Sequence, residues 1–273
     1  MLLTGLEILT QRSMKTWRRW LRFSVRGLVL FVLLAGSGLG FIVHVIRSAE
    51  AQRFAVAAIE KEGGSVLYDW QFKDRHTLGN AKPRGPKWLV DLFGVDYFGD
   101  VTFVFLPVSA EDQVNVQVGQ FSRLELLLRL PTTLTDAGLE HLRGLSSLQQ
   151  LPLQNTKVTD PGLVNLTGMK CLQSLSLRNA QVTDAGLIHL VSMPTLRYLD
   201  LRNTQVTDAG LIHLVGMPNL RYLDLRATQV TDAGLVHLAR MINLLEVDLD
   251  DTNVTRSGAE GLRRLAPKMR VIR

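Results

Sequence analysis

A single cysteine, Cys171, is all that the 273 residues contain. An intramolecular disulfide is therefore excluded, and no set of Cys and His has the spacing of a structural zinc site. The sequence also lacks a glycine-rich phosphate loop, a dinucleotide-binding fingerprint, HExxH and G-x-S-x-G, the common short motifs of nucleotide, metalloprotease and serine-hydrolase chemistry. The expectation is a chain that is not an enzyme, with no cofactor and no metal site. Disorder is excluded as well, because 46% of the residues are hydrophobic and the length is ample for a core.

Net positive charge is scarce over most of the chain. The formal charge is +6, but residues 1–26 carry Arg12, Lys15, Arg18, Arg19, Arg22 and Arg26 against Glu7 alone. That basic tail holds +5, leaving +1 for everything after it. A nucleic-acid partner is not expected from so neutral a body. Immediately after the tail comes GLVLFVLLAGSGLGFIVHVI, Gly27–Ile46, 20 residues with no Asp, Glu, Lys or Arg. At ~1.5 Å per residue such a helix spans a ~30 Å hydrocarbon layer. After it, Arg47, Arg53 and Lys61 are matched by Glu50, Glu60 and Glu62. The excess of positive charge before the span predicts a cytoplasmic N-terminus and a body outside, in a single-pass membrane protein. Ala49-Glu50-Ala51 has the form of a signal-peptide cleavage site, so cleavage after Ala51 is the rival reading. Either reading exports the bulk of the chain. Met14-Lys15 offers a second start, with a conventional short basic segment before the span.

Beyond residue 100 the sequence repeats itself. LTDAGL begins at Leu134, VTDPGL at Val158, VTDAGL at Val182, Val206 and Val230, and a worn copy, VTRSGA, at Val254; each step is 24 residues. In LRYLDLRNTQV, Leu199 and Leu201 alternate with Tyr198, Asp200 and Arg202, the period of a short strand with one buried face. In TDAGLIHLVGM, Leu211, Leu214 and Met217 recur every three residues and share one side of a helix. Thr207 or Asp208 is suited to cap that helix. Thr132, Thr156, Thr204, Thr228 and Thr252 form a column beyond the strands, interrupted by Ala180, with hydroxyls suited to satisfy backbone groups in the turn.

On these residues the chain resembles the leucine-rich repeat family, with Thr where the family pattern L-x-x-L-x-L-x-x-N/C-x-L has Asn or Cys. The TDAGL form is most similar to the repeats of bacterial membrane-anchored proteins of unassigned role. The resemblance implies an α/β solenoid, with short parallel strands on a concave face, helices on the convex face, and one transmembrane helix before it. The expected organisation is a tail over 1–26, a span over 27–46, a juxtamembrane helix and N-terminal cap over 47–99, and a repeat domain over 100–273. Within that domain, 100–123 is a degenerate lead-in repeat, 124–267 the repeats, and 268–273 a terminal stub. The 47–62 helix should stop at Gly63-Gly64, SVLYDWQF should form a strand, and WLVDLF a short helix. In the first repeat, strict alternation buries Leu124, Leu126, Leu128 and Leu130 and leaves Leu127 outside, one residue out of register with later repeats.

The resemblance also implies that outward strand positions meet a partner. They are Gln150, Pro152, Gln154; Ser174, Ser176, Arg178; Tyr198, Asp200, Arg202; Tyr222, Asp224, Arg226; Glu246, Asp248, Asp250. The candidate partner-binding residues are Tyr198, Asp200, Arg202, Tyr222, Asp224 and Arg226, because Tyr and Arg are enriched at binding hot spots. Residues 182–205 and 206–229 differ at only three positions, so duplication alone would copy this row. Cross-strand Asp-Arg pairing is its structural alternative. His141, His189, His213 and His237 form a column that reads as structural. The acids Glu246, Asp248, Asp250 and Asp251 read as a solvated edge that discourages further stacking. The function that follows is a membrane-anchored interaction module for an unidentified protein; the alternative is an envelope-organising protein that self-associates.

Overall fold

The computed structural model describes residues 25–73, 76–77, 82–107 and 114–273, with the backbone alone for 25–39, 42, 72–73 and 76–77. The tail before Val25, with both candidate starts, lies outside the described residues. A helix, α1, runs over Val25–Lys61 and ends where Gly63 takes a left-handed φ of 80°. Among the described residues no helix is long and apolar enough to cross a membrane. Most side chains of Gly27–Ile46 fall outside that set, so the span stays an expectation. The chain divides into two compact units, Met1–Ala49 and Glu50–Arg273.

Within Glu50–Arg273, a nine-stranded sheet takes the order β1-β4-β5-β6-β7-β8-β9-β10-β11. β1 (Ser65–Tyr68) is antiparallel to β4 (Val101–Phe105) at one edge. Every later neighbour is parallel: β5 (Leu126–Leu128), β6 (Gln150–Pro152), β7 (Ser174–Ser176), β8 (Tyr198–Asp200), β9 (Tyr222–Asp224), β10 (Glu246–Asp248) and β11 (Arg270–Ile272). β2 (Phe72–Lys73) and β3 (His76–Thr77) form a separate antiparallel pair. SVLYDWQF is thus not one strand. It breaks after Tyr68, where Asp69 N–H turns to the Asp100 carbonyl and Gln71 N–H to that of Tyr68.

Short helices or 3-10 turns return the chain between parallel strands, as the switch of period from 2 to 3 requires. Leucine columns at 24-residue spacing fill the space between. Leu151, Leu175, Leu199 and Leu223 line the inner side of the strands, and Leu163, Leu187 and Leu211 face them from the helical side, all buried. Each such side chain stabilises the array by about 1.5–3 kcal/mol. Ala55, Val56 and Ile59 of α1 join the same core beside Val104 and Leu127.

The first repeat corrects the alternation reading. Leu127 is fully buried and Leu128 is exposed, the reverse of the expectation, while Leu124, Leu126 and Leu130 are buried. The cause is register: Phe103 pairs with Leu126, and Leu126 with Gln150, which keeps the 24-residue step and sets Leu127 level with Leu151. A one-residue slip would turn every side chain of the strand to the wrong face. The irregularity is taken up in the turn instead. Arg129 adopts φ 63° two residues after Leu127, whereas Asn155 adopts φ 60° four residues after Leu151.

The TDAGL signature acquires a physical meaning at the joints between repeats. Thr207, in extended backbone, caps its helix by accepting from Ala209 N–H, which decides the cap in favour of Thr over Asp208. The aspartate reaches forward to the next repeat. Asp136 Oδ1 accepts from Thr159 N–H at 2.8 Å and Oδ2 from Thr159 Oγ1 at 2.5 Å. Asp160 and Thr183, Asp184 and Thr207, Asp208 and Thr231, and Asp232 and Thr255 repeat the arrangement. The glycine makes room for that carboxylate: a Cβ at Gly162 would lie 2.1 Å from Asp136 Oδ1, and one at Gly210 would lie 2.3 Å from Asp184 Oδ1. Thr, Asp and Gly are therefore one latch. In the last copy Arg256 takes the place of the aspartate, and Asp232 makes the final joint.

Candidate partner-binding face

The outward residues of β7 to β10 lie in rows because the parallel register is constant. Tyr198 is level with Tyr222, and Ser176, Asp200, Asp224 and Asp248 are level with one another. Arg202 and Arg226 follow just after their strands. Alternation sends each of these side chains away from the leucine core.

Asp200 and Asp224 are nevertheless buried, at 2% and 7% exposure, beneath the arginines. Asp200 Oδ1 accepts from Arg202 Nε at 2.9 Å and from its N–H at 3.1 Å, and Oδ2 accepts from Arg202 Nη2 at 2.7 Å and Ser176 Oγ at 3.1 Å. Asp224 holds Arg226 in the same way. Each guanidinium also bridges forward: Arg202 Nε lies 3.3 Å from Asp224 Oδ2, and Arg226 Nε 3.3 Å from Asp248 Oδ2. The result is a continuous chain of charge-assisted bonds, Ser176–Asp200–Arg202–Asp224–Arg226–Asp248.

Electrostatics follow from position in that chain. Burial alone would push the Asp200 carboxyl up, but the Arg202 side chain and N–H, its charge and Ser176 together hold it below the ordinary aspartate value. Asp248, at the far end, is pushed up chiefly by burial, which outweighs the Asp250 N–H and the charge of Arg226, with smaller upward pushes from the charges of Asp224 and Asp250. Arg226 is raised by its hydrogen bonds to Asp224, and Tyr198 by burial and by Asp200 and Asp224.

Of the six residues picked from the sequence, Asp200 and Asp224 thus hold the face together from within. Tyr198, Tyr222, Arg202 and Arg226 form its outer layer, with Tyr222 the most open at 42% exposure. Arg178, in the row of the arginines, is exposed, and among the described residues no carboxylate pairs with it, because Ser176 stands where the later repeats have Asp. Beside it in the row, Gln154 has a buried Oε1 with no partner. At the other end Asp250 replaces the arginine. Among the described residues the face therefore carries an unpaired cation, Arg178, toward the first repeats and an unpaired acid, Asp250, toward the last.

Sequence reasoning missed a second ladder. Asn179 Nδ2 donates to Asn155 Oδ1 and Asn203 Nδ2 to Asn179 Oδ1, all three in left-handed backbone. The 24-residue column of Asn before Thr or Ala was a readable signal, since Asn tolerates positive φ best after Gly. The Thr column behaves as its chemistry suggested: Thr156, Thr204, Thr228 and Thr252 each donate Oγ1–H to the carbonyl three residues back. His189, His213 and His237 are half-buried on the helical side. Among the described residues no three His, Cys, Asp or Glu gather as a metal site.

Residues 168–191 match the family model for a leucine-rich repeat, and residues 194–237 the model for leucine-rich repeats in two copies. These segments have the pattern of leucine-rich repeats. Such arrays are typically protein-protein interaction modules and are generally not catalytic. Solved structures similar to the chain include internalin C2 from Listeria monocytogenes, with 21% identity over 65% of this chain and 84% of that one and a TM-score of 0.46. A leucine-rich repeat protein of Leptospira interrogans shares 17% identity over 61% of this chain and 45% of its own, with a TM-score of 0.40. A plant peptide hormone receptor, RGFR1, in complex with RGF2, shares 18% over 62% and 26%, with a TM-score of 0.39. No curated protein matches in direct sequence comparison.

Proposed function

We propose that the chain is a membrane-anchored leucine-rich repeat protein, held by residues 27–46 with its N-terminus in the cytoplasm, that captures a protein partner on its concave face outside. The observation that carries this reading is the exposed Tyr222 beside Tyr198, set among two guanidiniums that buried aspartates already hold in place. Aromatic and arginine side chains fixed before binding lose little entropy when a partner arrives. The polarity of the face selects that partner: an acidic group suits Arg178, and a basic group suits Asp250.

Crosslinking in intact cells, followed by mass spectrometry, names the partner; the double variant Tyr198→Ser, Tyr222→Ser then tests the face. It removes the aromatic contacts and leaves the Asp-Arg chain intact, and capture should fall at least tenfold. Unchanged capture by a folded variant sinks the assignment. Reversing Arg202 and Arg226 to Glu is a less clean test, because it places two acids against buried Asp200 and Asp224. A crosslink only to a second copy of the chain would favour the self-associating alternative. Topology has its own reporter in the exposed thiol of Cys171, which a membrane-impermeant maleimide should label in intact cells.

A further inference from the structure

α2 (Lys87–Phe93, KWLVDLF) has five apolar residues in seven and buries none of them. Among the described residues every α-helix that returns the chain between repeats, by contrast, buries Leu, Val or Ala in the core. Trp88 and Leu92, four residues apart and so on one side, are 65% and 68% exposed, and Phe93 beside them is 46% exposed. Lys82 and Lys87, both exposed, precede this patch, while Arg84 is engaged by Asp69 at 2.8 Å.

We propose that α2 lies in the headgroup region of the bilayer, with Trp88, Leu92 and Phe93 entering the acyl boundary and Lys82 and Lys87 meeting anionic headgroups. This rests on the membrane reading of residues 27–46. Three considerations select lipid as the occupant. Trp is the side chain best suited to an interface that is apolar on one side and wet on the other, and neighbouring lysines complement anionic lipid. The patch presents three large apolar side chains, whereas a stable protein interface engages roughly 20–30 residues on each side. Finally, α2 belongs to the part of the chain that follows the expected span directly in sequence. Gln52 Nε2 donates to the Gly99 carbonyl at 2.8 Å, Tyr68 Oη donates to Asp96 at 2.7 Å, and the Phe93 and Tyr97 rings touch at 5.8 Å. Gln52 follows Ile46, the last residue of the expected span, by six residues in the sequence.

The test uses the full chain in vesicles of neutral lipid with a phosphatidylglycerol fraction, with Cys171→Ser and Leu92→Cys carrying an environment-sensitive fluorophore. Vesicles containing headgroup-proximal spin-labelled lipid should quench the probe at least twofold. A chain that floats with the vesicles but leaves the probe unquenched overturns this inference and leaves the anchor standing. A probe shielded from water yet unquenched overturns it in favour of a protein contact. A chain that does not float with the vesicles removes the anchor, and this inference with it.

Discussion

Two columns of aspartate run along the array, one at the joints where helices begin and one on the strands. The joint column, Asp136, Asp160, Asp184, Asp208 and Asp232, is satisfied by neutral donors, the N–H and hydroxyl of the next threonine. The strand column, Asp200, Asp224 and Asp248, is satisfied by arginine and has three acids to two guanidiniums. The first recurs at each of these five joints, as architecture must. The second begins only at β8, after Pro152 and Ser176. Duplication of nearly identical repeats accounts for copying Asp200 as Asp224, yet Asp248 continues the row inside a repeat that has otherwise diverged to Glu246 and Asp250. A feature confined to part of a solenoid, and continued past the duplicated copies, is where partner recognition is best sought.

The comparison can be broken at the strand column first. Arg202→Ala leaves Asp200 and Asp224 short of a buried counter-charge and should cost about 2–3 kcal/mol in urea unfolding. Replacing Asp200 by Asn and Arg202 by Gln together should cost about 1 kcal/mol, because no bare charge remains. Equal losses would mean that the charges themselves are not the cause.

At the joints, Asp136→Ala should cost about 2 kcal/mol by leaving the Thr159 N–H unsatisfied. Gly162→Ala alone should cost about 1 kcal/mol, since its Cβ displaces the Asp136 carboxylate. In the Asp136→Ala background the same change should cost clearly less, because only the Cβ at position 136, 3.2 Å away, remains in its path and the unfolded chain loses entropy. The smaller loss distinguishes a latch from two independent preferences, and an identical effect in both backgrounds would disprove it.

Smaller still is the expected gain at Ala227, which adopts φ 54° where Asn155, Asn179 and Asn203 hold that conformation in earlier repeats. Ala227→Asn should add about 0.5 kcal/mol, seen as a higher thermal midpoint. The smallest effect concerns pH. The folded-state pKa of Asp248 is raised, so its ionisation opposes folding at neutral pH, and the penalty is relieved as pH falls through that pKa. Asp248→Asn should therefore be more stable than the parent by about 0.3 kcal/mol near pH 7, with the difference gone near pH 4. Asp200 has the opposite sign: its depressed pKa contributes stability at neutral pH that is lost only in stronger acid.

Much of the fold was legible from spacing. The 24-residue period, the leucine columns and the threonine hydroxyls in the turns all follow from local pattern. The first repeat was misread because LELLLRL has leucine on both faces, so alternation offers two registers and only pairing with Gln150 chooses between them. The site was legible as a row of Tyr, Asp and Arg. Its depth was not, because whether an outward aspartate meets water or lies beneath a guanidinium depends on side chains 24 residues away.

By itself the sequence determined the repeat, its strand and helix halves and the outward row, because periods of two, three and 24 are properties of neighbours along the chain. Tertiary structure alone decided the register of the first strand, the union of Thr, Asp and Gly into one latch, and the division of the row into buried acids and open tyrosines. Each depends on which residues stand level across parallel strands and joints, where a slip of one position exchanges the faces.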